Sequence, residues 1–200
     1  TYEAGQFAWL NIGHRPTSLK ENPFSIASAP ASGPDVSFMI KELGDFTRTL
    51  GQTKIGTKAY LDAPYGSLLI DGRPEPGVAL IAGGVGLAPL LGIARQMRLT
   101  GDPRRRRIIY GNRTADQIAF RDELDAEDTT YVLSEPREDW QGEMGFIDAA
   151  LMDRVFTPEE YRSWVFVMCG PAIMMEIVED HLIARGTPSD RILSERFDYD

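Results

Sequence analysis

The run from Gly77 to Ala94, GVALIAGGVGLAPLLGIA, most constrains what this chain can fold into. It holds eighteen consecutive uncharged residues, close to the length that crosses a bilayer. Its punctuation argues for something else. Val78 to Ala82 is a short apolar stretch, Gly83, Gly84, Gly86 and Pro89 then interrupt it, and Arg95 and Arg98 close the run. A fully buried parallel strand turning into a core-facing helix explains this pattern without lipid.

The flanks agree with that reading. Before the run, Gln6–Ile12, Phe24–Ser28, Val36–Lys41 and Lys58–Asp62 are short, rich in aromatic or branched residues, and separated by turn-formers such as Ala31-Ser32-Gly33-Pro34-Asp35. They predict an antiparallel barrel or sandwich, with one helix over Gly44–Leu50. Asp71-Gly72-Arg73-Pro74-Glu75-Pro76-Gly77 suits neither helix nor strand and reads as a linker. After it, strands alternate with helices: strand 78–82, helix 87–99, strand 107–110, helix 116–124, strand 130–133, strand 164–168, helix 172–185 and a last strand 191–193. That rhythm predicts a parallel sheet with crossover helices. The expected organisation is a β-domain over residues 1–73 and a Rossmann-like α/β domain over 74–200.

Charge and cysteine content exclude several function classes. A net charge of −9 argues against nucleic acid and anionic membrane surfaces as general partners. The lone Cys169 rules out a disulfide within the chain, a cysteine-ligated iron–sulfur cluster and a structural zinc site. No secretory signal is visible at Thr1, which suits a cytoplasmic location, and the opening in a strand-like run reads as part of something longer. The run Arg104–Arg107 is expected to cap a helix end or meet solvent. His14 and His181 have no ligand-like neighbours in sequence and are expected to be structural or at the surface.

The Gly83–Pro89 turn lies between the predicted strand and helix. Glycines there let a pyrophosphate approach the backbone, and a helix N-terminus offers free N–H groups and a partial positive charge. The spacing departs from G-x-G-x-x-G, so a tight turn alone is a competing reading. Tyr110-Gly111-Asn112-Arg113-Thr114 ends the next strand, where a dinucleotide fold holds the adenosine ribose. Arg113 there suits a 2′-phosphate; the competing reading is a solvated loop arginine. Cys169-Gly170-Pro171 ends a later strand, where the side chain would line a ligand crevice or simply pack.

Taken in order, Gly5-Gln6-Phe7, Asn22-Pro23-Phe24-Ser25, Gly44-Asp45-Phe46-Thr47, Pro64-Tyr65-Gly66, Gly83 to Pro89, Cys169-Gly170-Pro171 and Glu195-Arg196-Phe197 resemble the ferredoxin–NADP reductase superfamily. The likeness is greatest to its ferric-reductase and NADPH-oxidase-type dehydrogenase branch. It implies a flavin-binding barrel followed by a nicotinamide-nucleotide domain, with FAD and NADPH or NADH as cofactors. By resemblance, Asn22, Pro23, Phe24 and Ser25 run beside the isoalloxazine with the Ser25 hydroxyl near N5. Ile40, Lys41, Gly44, Asp45, Phe46 and Thr47 form the flavin pyrophosphate site. Gly83, Gly84, Gly86, Pro89, Arg113, Gly170 and Pro171 hold the nucleotide, Cys169 lies near the nicotinamide C4, and Glu195 and Phe197 approach the flavin. Ser25, Cys169 and Glu195 are thus the candidate catalytic residues, and no metal site is expected. Two departures stand out: Asn22 replaces a family cation beside the flavin, and the first barrel strand is absent, leaving an exposed edge.

The implied function is hydride transfer from NAD(P)H to FAD, then single-electron delivery to an acceptor outside this chain, such as ferric iron or a membrane haem in a fused upstream domain. The alternative is a non-catalytic nucleotide-binding regulatory module with a degenerate flavin site.

Overall fold

The computed structural model describes residues 1–13 and 22–195; His14, Arg196 and Phe197 lie outside the described residues. The first unit is antiparallel: β1 (Phe7–Ile12) lies between β2 (Asn22–Ser25) and β3 (Ala59–Tyr65), with helix α1 (Asp45–Leu50) between β2 and β3 in sequence. The second unit is a six-stranded parallel sheet. It contains β4 (Gly77–Gly83), β5 (Arg105–Asn112), β6 (Thr129–Leu133), β7 (Glu143–Met144), β8 (Val165–Cys169) and β9 (Ile192–Glu195), in the order β7-β6-β5-β4-β8-β9. Its helices are α2 (Leu87–Thr100), α3 (Arg121–Leu124), α4 (Ala149–Val155), α5 (Pro158–Ser163) and α6 (Ala172–Ala184). This is the antiparallel-then-parallel architecture expected from the sequence. No helix among the described residues is long and apolar enough to cross a membrane.

The uncharged run is central because every residue of β4 is buried, between β5 and β8. Strand alternation sends its side chains to opposite faces. Val78, Leu80 and Ala82 join one core with Leu87, Leu90 and Leu91 of α2, while Ala79 and Ile81 join the other with Leu151, Phe156 and Val178. Each large branched side chain so buried contributes about 1.5–3 kcal/mol. Helix α2 begins without a side-chain cap, and Pro89 falls in its first turn, where N–H groups lack intrahelical acceptors anyway. It ends at Gly101, whose left-handed φ of 66° lets its N–H reach back to Arg98 and Met97 carbonyls.

Several sequence expectations are corrected. Residues 36–41 do not form a strand: only Phe38 bridges, to Ile26, and the segment bends so that Met39 packs on the core. Strand β2 stops at Ser25, because Ile26 to Ser28 turn beneath α2. The helix expected over 116–124 is broken: a 3₁₀ turn covers Ala115–Gln117, Phe120 is left-handed (φ 54°), and only Arg121–Leu124 is helical. Strands β7 and helices α4 and α5 were not anticipated.

The arginine run neither caps a helix nor simply meets solvent. β5 begins at Arg105, and alternation divides the run between the two faces. Arg106 pairs with Glu127, Arg104 with Asp102, and Arg105 and Arg107 with Glu160. Arg105 and Arg107 also lie over Trp164, at 5.4 and 5.5 Å from its ring centroid. His181 is structural, held by Asp153 at 3.0 Å and by the Tyr161 hydroxyl at 3.3 Å.

Candidate functional site

Strands β4 and β8 are neighbours, so the turns that follow them lie side by side at the carboxyl edge of the sheet. Three of the four glycines there serve this contact. A Cβ on Gly86 would lie 2.1 Å from Cys169 O, one on Gly83 would lie 2.6 Å from Pro171 Cδ, and one on Gly170 would lie 3.0 Å from Gly83 N. Gly84 differs. Its φ is 53° and nothing lies within 4 Å of a would-be Cβ, so this backbone is open at the start of a fourteen-residue helix. Open backbone beside the N–H groups of a long helix suits a diphosphate.

Cys169 ends β8 on the face shared with α2 and is fully buried. Burial, reinforced by the nearby Glu195 charge, pushes its thiol up to about 12, so at neutral pH it is present as the thiol and not as the thiolate nucleophile. Glu195 stands beside it in register on β9. Burial raises the Glu195 carboxyl to about 7, and its Oε2 has no hydrogen-bond partner among the described residues. Its Oε1 leans over Gly66 just past β3, where a Cβ would lie 2.9 Å away. Gly66 has φ 100° and touches Phe7, which pairs across the sheet with both Ser25 and Tyr65. A continuous path of contacts therefore runs from Ser25 through Phe7, Gly66 and Glu195 to Cys169.

The flavin-side residues expected from sequence are brought together in part. Ser25 is buried at the end of β2, and the Phe24 ring stacks on Phe46 of α1 at 6.2 Å. Pro23, Phe24, Ser25, Ile40 and Lys41 line a narrow recess of about 30 Å³ whose far wall is Val85 and Ala88, next to the glycine turn. Thr47 Oγ1 accepts the N–H groups of Leu43 and Gly44 at 2.8 and 3.0 Å, so its hydroxyl shapes the entry to α1. Gly44 and Asp45 are exposed at that entry, and Asn22 pairs with Leu10 at the far end of β2.

Arg113 is not a free cation. It is exposed at the end of β5 and makes two hydrogen bonds to Glu135, at 3.1 and 2.9 Å. Each partner is shifted toward its charged form by the other.

Sequence reasoning passed over a larger cavity of about 890 Å³ along β6, within the size range of ligand sites. Arg121 lies over Tyr131 and Trp140, at 5.6 and 5.8 Å from their centroids, and Arg137 shares the same wall. Asp116, Asp139 and Glu143 line it too, so its charge is mixed, and the two aromatic rings are its apolar surface. The signal available in sequence was Arg137 and Trp140 in the loop after β6. Their convergence with Arg121 needed the fold. Gly66 was quoted in a motif, but its contact with Glu195 was not foreseeable.

Three features fit a flavin and a dinucleotide: a buried carboxylate oxygen without a partner among the described residues, an open glycine turn, and a ligand-sized cavity with two aromatic rings and charges of both signs. Comparison with known proteins agrees. Residues 1–75 match the FAD-binding domain family and residues 80–180 the oxidoreductase NAD-binding domain family. The chain is 32% identical to the propane 2-monooxygenase reductase component of Mycolicibacterium goodii, over 98% of this chain and 59% of that protein. It is 27% identical to NADH-cytochrome b5 reductase 1 of Candida glabrata, over 94% of this chain and 69% of that one. Among solved structures, the ferredoxin reductase in carbazole 1,9a-dioxygenase superposes with a TM-score of 0.84 at 25% identity, over 99% of this chain and 61% of that one. The chain thus spans about six tenths of the monooxygenase relative's length. On matched domains, fold and site together, this chain belongs to the ferredoxin–NADP reductase superfamily.

Proposed function

We propose that the chain is an NAD(P)H-dependent flavin oxidoreductase that passes hydride from nicotinamide to FAD and releases electrons singly to an acceptor. The observation that carries this reading is the convergence at one recess of Ser25 and Lys41 from the first unit with Val85 and Ala88 beside the glycine turn of the second. In this reading, residues 1–73 hold flavin and 74–200 hold the nucleotide. Bound FAD supplies two-electron acceptance and one-electron release, chemistry no side chain here provides.

The protein's part is alignment, water exclusion and proton placement. The Ser25 hydroxyl and the β2 backbone would hold the flavin edge, with Phe24, itself stacked on Phe46, supplying an apolar wall beside it. Lys41 and the α1 entry from Gly44 to Thr47 face the flavin diphosphate. Gly84 and the α2 N-terminus take the nucleotide diphosphate, while Gly83, Gly86, Pro89, Gly170 and Pro171 hold the two turns together. Cys169 sets a small, dry, uncharged wall for the nicotinamide. Glu195, whose carboxyl burial pushes up to about 7, is placed to take up or release a proton near neutral pH beside that wall. Arg121, Trp140 and Arg137 receive the adenosine half.

Coenzyme choice follows from Arg113. A 2′-phosphate must displace the Glu135 carboxylate from that guanidinium and then sit beside it, so we assign NADH as the preferred donor. The acceptor in this reading lies outside this chain and is a group such as a membrane haem or ferric iron. Among the described residues, no group of three or more His, Cys, Asp or Glu could hold a metal ion. The names of the relatives, a monooxygenase reductase component and a cytochrome b5 reductase, support delivery to a separate acceptor protein.

The test is an anaerobic titration of FAD-supplemented protein with NADH and then NADPH, followed by flavin absorbance. Bleaching with NADH at lower concentration than with NADPH is expected. Binding of FAD and nucleotide without bleaching would reassign the chain to a nucleotide-binding module.

A further inference from the structure

Helix α2 leaves the Gly83–Gly86 turn and then runs along the first unit, so one helix touches both halves of the site. Its contacts with the first unit are short. Arg95 Nη1 donates to Ala27 O at 2.8 Å, and Ala31 N–H donates to Gln96 Oε1 at 2.9 Å. At Gly92 the backbones meet so closely that a Cβ would lie 2.9 Å from Ile26 O. This contacted segment begins directly after Ser25. It is also fixed within its own unit, with Ile26 N–H bonded to Gln6 O at 2.9 Å and Ala27 N–H to Ser37 O at 2.8 Å.

Arg95 is held on its other edge as well. Its Nε and Nη2 donate to Glu123 at 2.9 and 2.7 Å, and its guanidinium lies 5.0 Å from the Phe120 ring centroid. Phe120 is the one non-glycine among the described residues with positive φ. A phenylalanine in the left-handed region persists only where its surroundings over-determine it. Here that conformation sets the ring against Arg95 at the start of α3. One guanidinium therefore joins three pieces: the segment after Ser25, helix α2 and the α3 segment that walls the adenosine-side cavity.

We propose that Arg95 is a positioning residue, which sets the Ser25–Ser28 segment against the nucleotide turn and so aligns the two cofactors for hydride transfer. The proposal rests on the functional reading above. A planar fork with five N–H donors serves carbonyl and carboxylate together, and a lysine ammonium does not reproduce that geometry. Hydride transfer is steep in alignment: a misplacement of about 1 Å costs roughly a hundredfold in rate. Replacing Arg95 removes none of the side chains assigned to FAD or nucleotide binding; it releases the segments that carry Ser25 and Arg121.

Arg95→Met and Arg95→Lys test this with two readouts on the full chain. By amide hydrogen exchange, Arg95→Met is expected to speed exchange in both 26–31 and 120–124 while leaving 165–169 unchanged. By single-turnover anaerobic reduction with NADH, its limiting rate is expected to fall about a hundredfold, with Arg95→Lys intermediate and the nucleotide Kd of both within about twofold of wild type. Unchanged exchange at 26–31, faster exchange reaching 165–169, or a wild-type limiting rate in Arg95→Met would each overturn the proposal. Absence of bleaching in the wild type refutes the functional reading instead, and the exchange result is read independently of it.

Discussion

Glu195 sits in an environment at odds with its chemistry. It is an acid with a buried oxygen that has no partner among the described residues, beside a buried thiol and over a glycine. Its carboxyl titrates near 7 in the folded protein, against about 4.3 in an unfolded chain. The folded state therefore binds this proton more tightly, so the contribution to stability is complete at low pH and is lost as pH rises through 7. We expect the FAD-free protein to lose about 2 kcal/mol between pH 5 and 8 that Glu195→Gln does not lose, measured by urea unfolding. Parallel pH profiles for the two proteins would show that Glu195 is not this acid. The motif around Glu195 marked the position from sequence. Its protonation depends on Gly66 and Cys169, which are remote in the chain and meet it only in the fold.

Among elements, the strand–turn–helix from Gly77 to Thr100 was legible because its signals are local: an unbroken apolar strand, glycines, and a proline permitted in a first turn. Helices α4 and α5 were legible in principle. Asp148 caps α4 by accepting from Leu151 N–H at 2.8 Å, and Thr157-Pro158-Glu159-Glu160 forms a reciprocal capping box with proline at the first position of α5. What misled the reading of residues 36–41 is that apolar residues there face a neighbouring core and a recess and do not pair along a strand. The loops after β5 and β6 carry the prediction at this scale. Their exposed Arg113–Glu135 pair competes with a 2′-phosphate for the cation, so Glu135→Gln should tighten NADPH by about two- to fivefold and leave NADH little changed. Arg113→Ala in that background should abolish the gain. Equilibrium binding of the two coenzymes checks both, and an equal response of NADH and NADPH would remove the pair from coenzyme choice.

At the scale of the molecule, the two units share one core. Ala4, Ala27, Leu68 and Ile70 of the first belong to the same buried cluster as Leu80, Leu90, Ile93 and Met97 of the second. Polar ties reinforce it: Arg104 donates to Ile70 O at 3.1 Å, and Arg95 to Ala27 O at 2.8 Å. A continuous apolar interface makes separate melting unfavourable. The FAD-free protein should unfold in a single calorimetric transition whose van't Hoff and calorimetric enthalpies agree. Two resolved transitions would show that the linker, and not the shared core, governs the relation of the units.

The sequence by itself determined the class of fold and the kind of ligand. Strand and helix periods, the glycine turn and the order of short motifs are local signals, and local signals survive without coordinates. The tertiary structure decided which glycines serve packing and which leave backbone open, that Arg113 is already paired, that Cys169 is sealed and neutral, and that Arg95 spans both units. Each of these depends on residues far apart in the chain. Burial, charge pairing and backbone approach are properties of neighbours in space, and only the folded chain determines who those neighbours are.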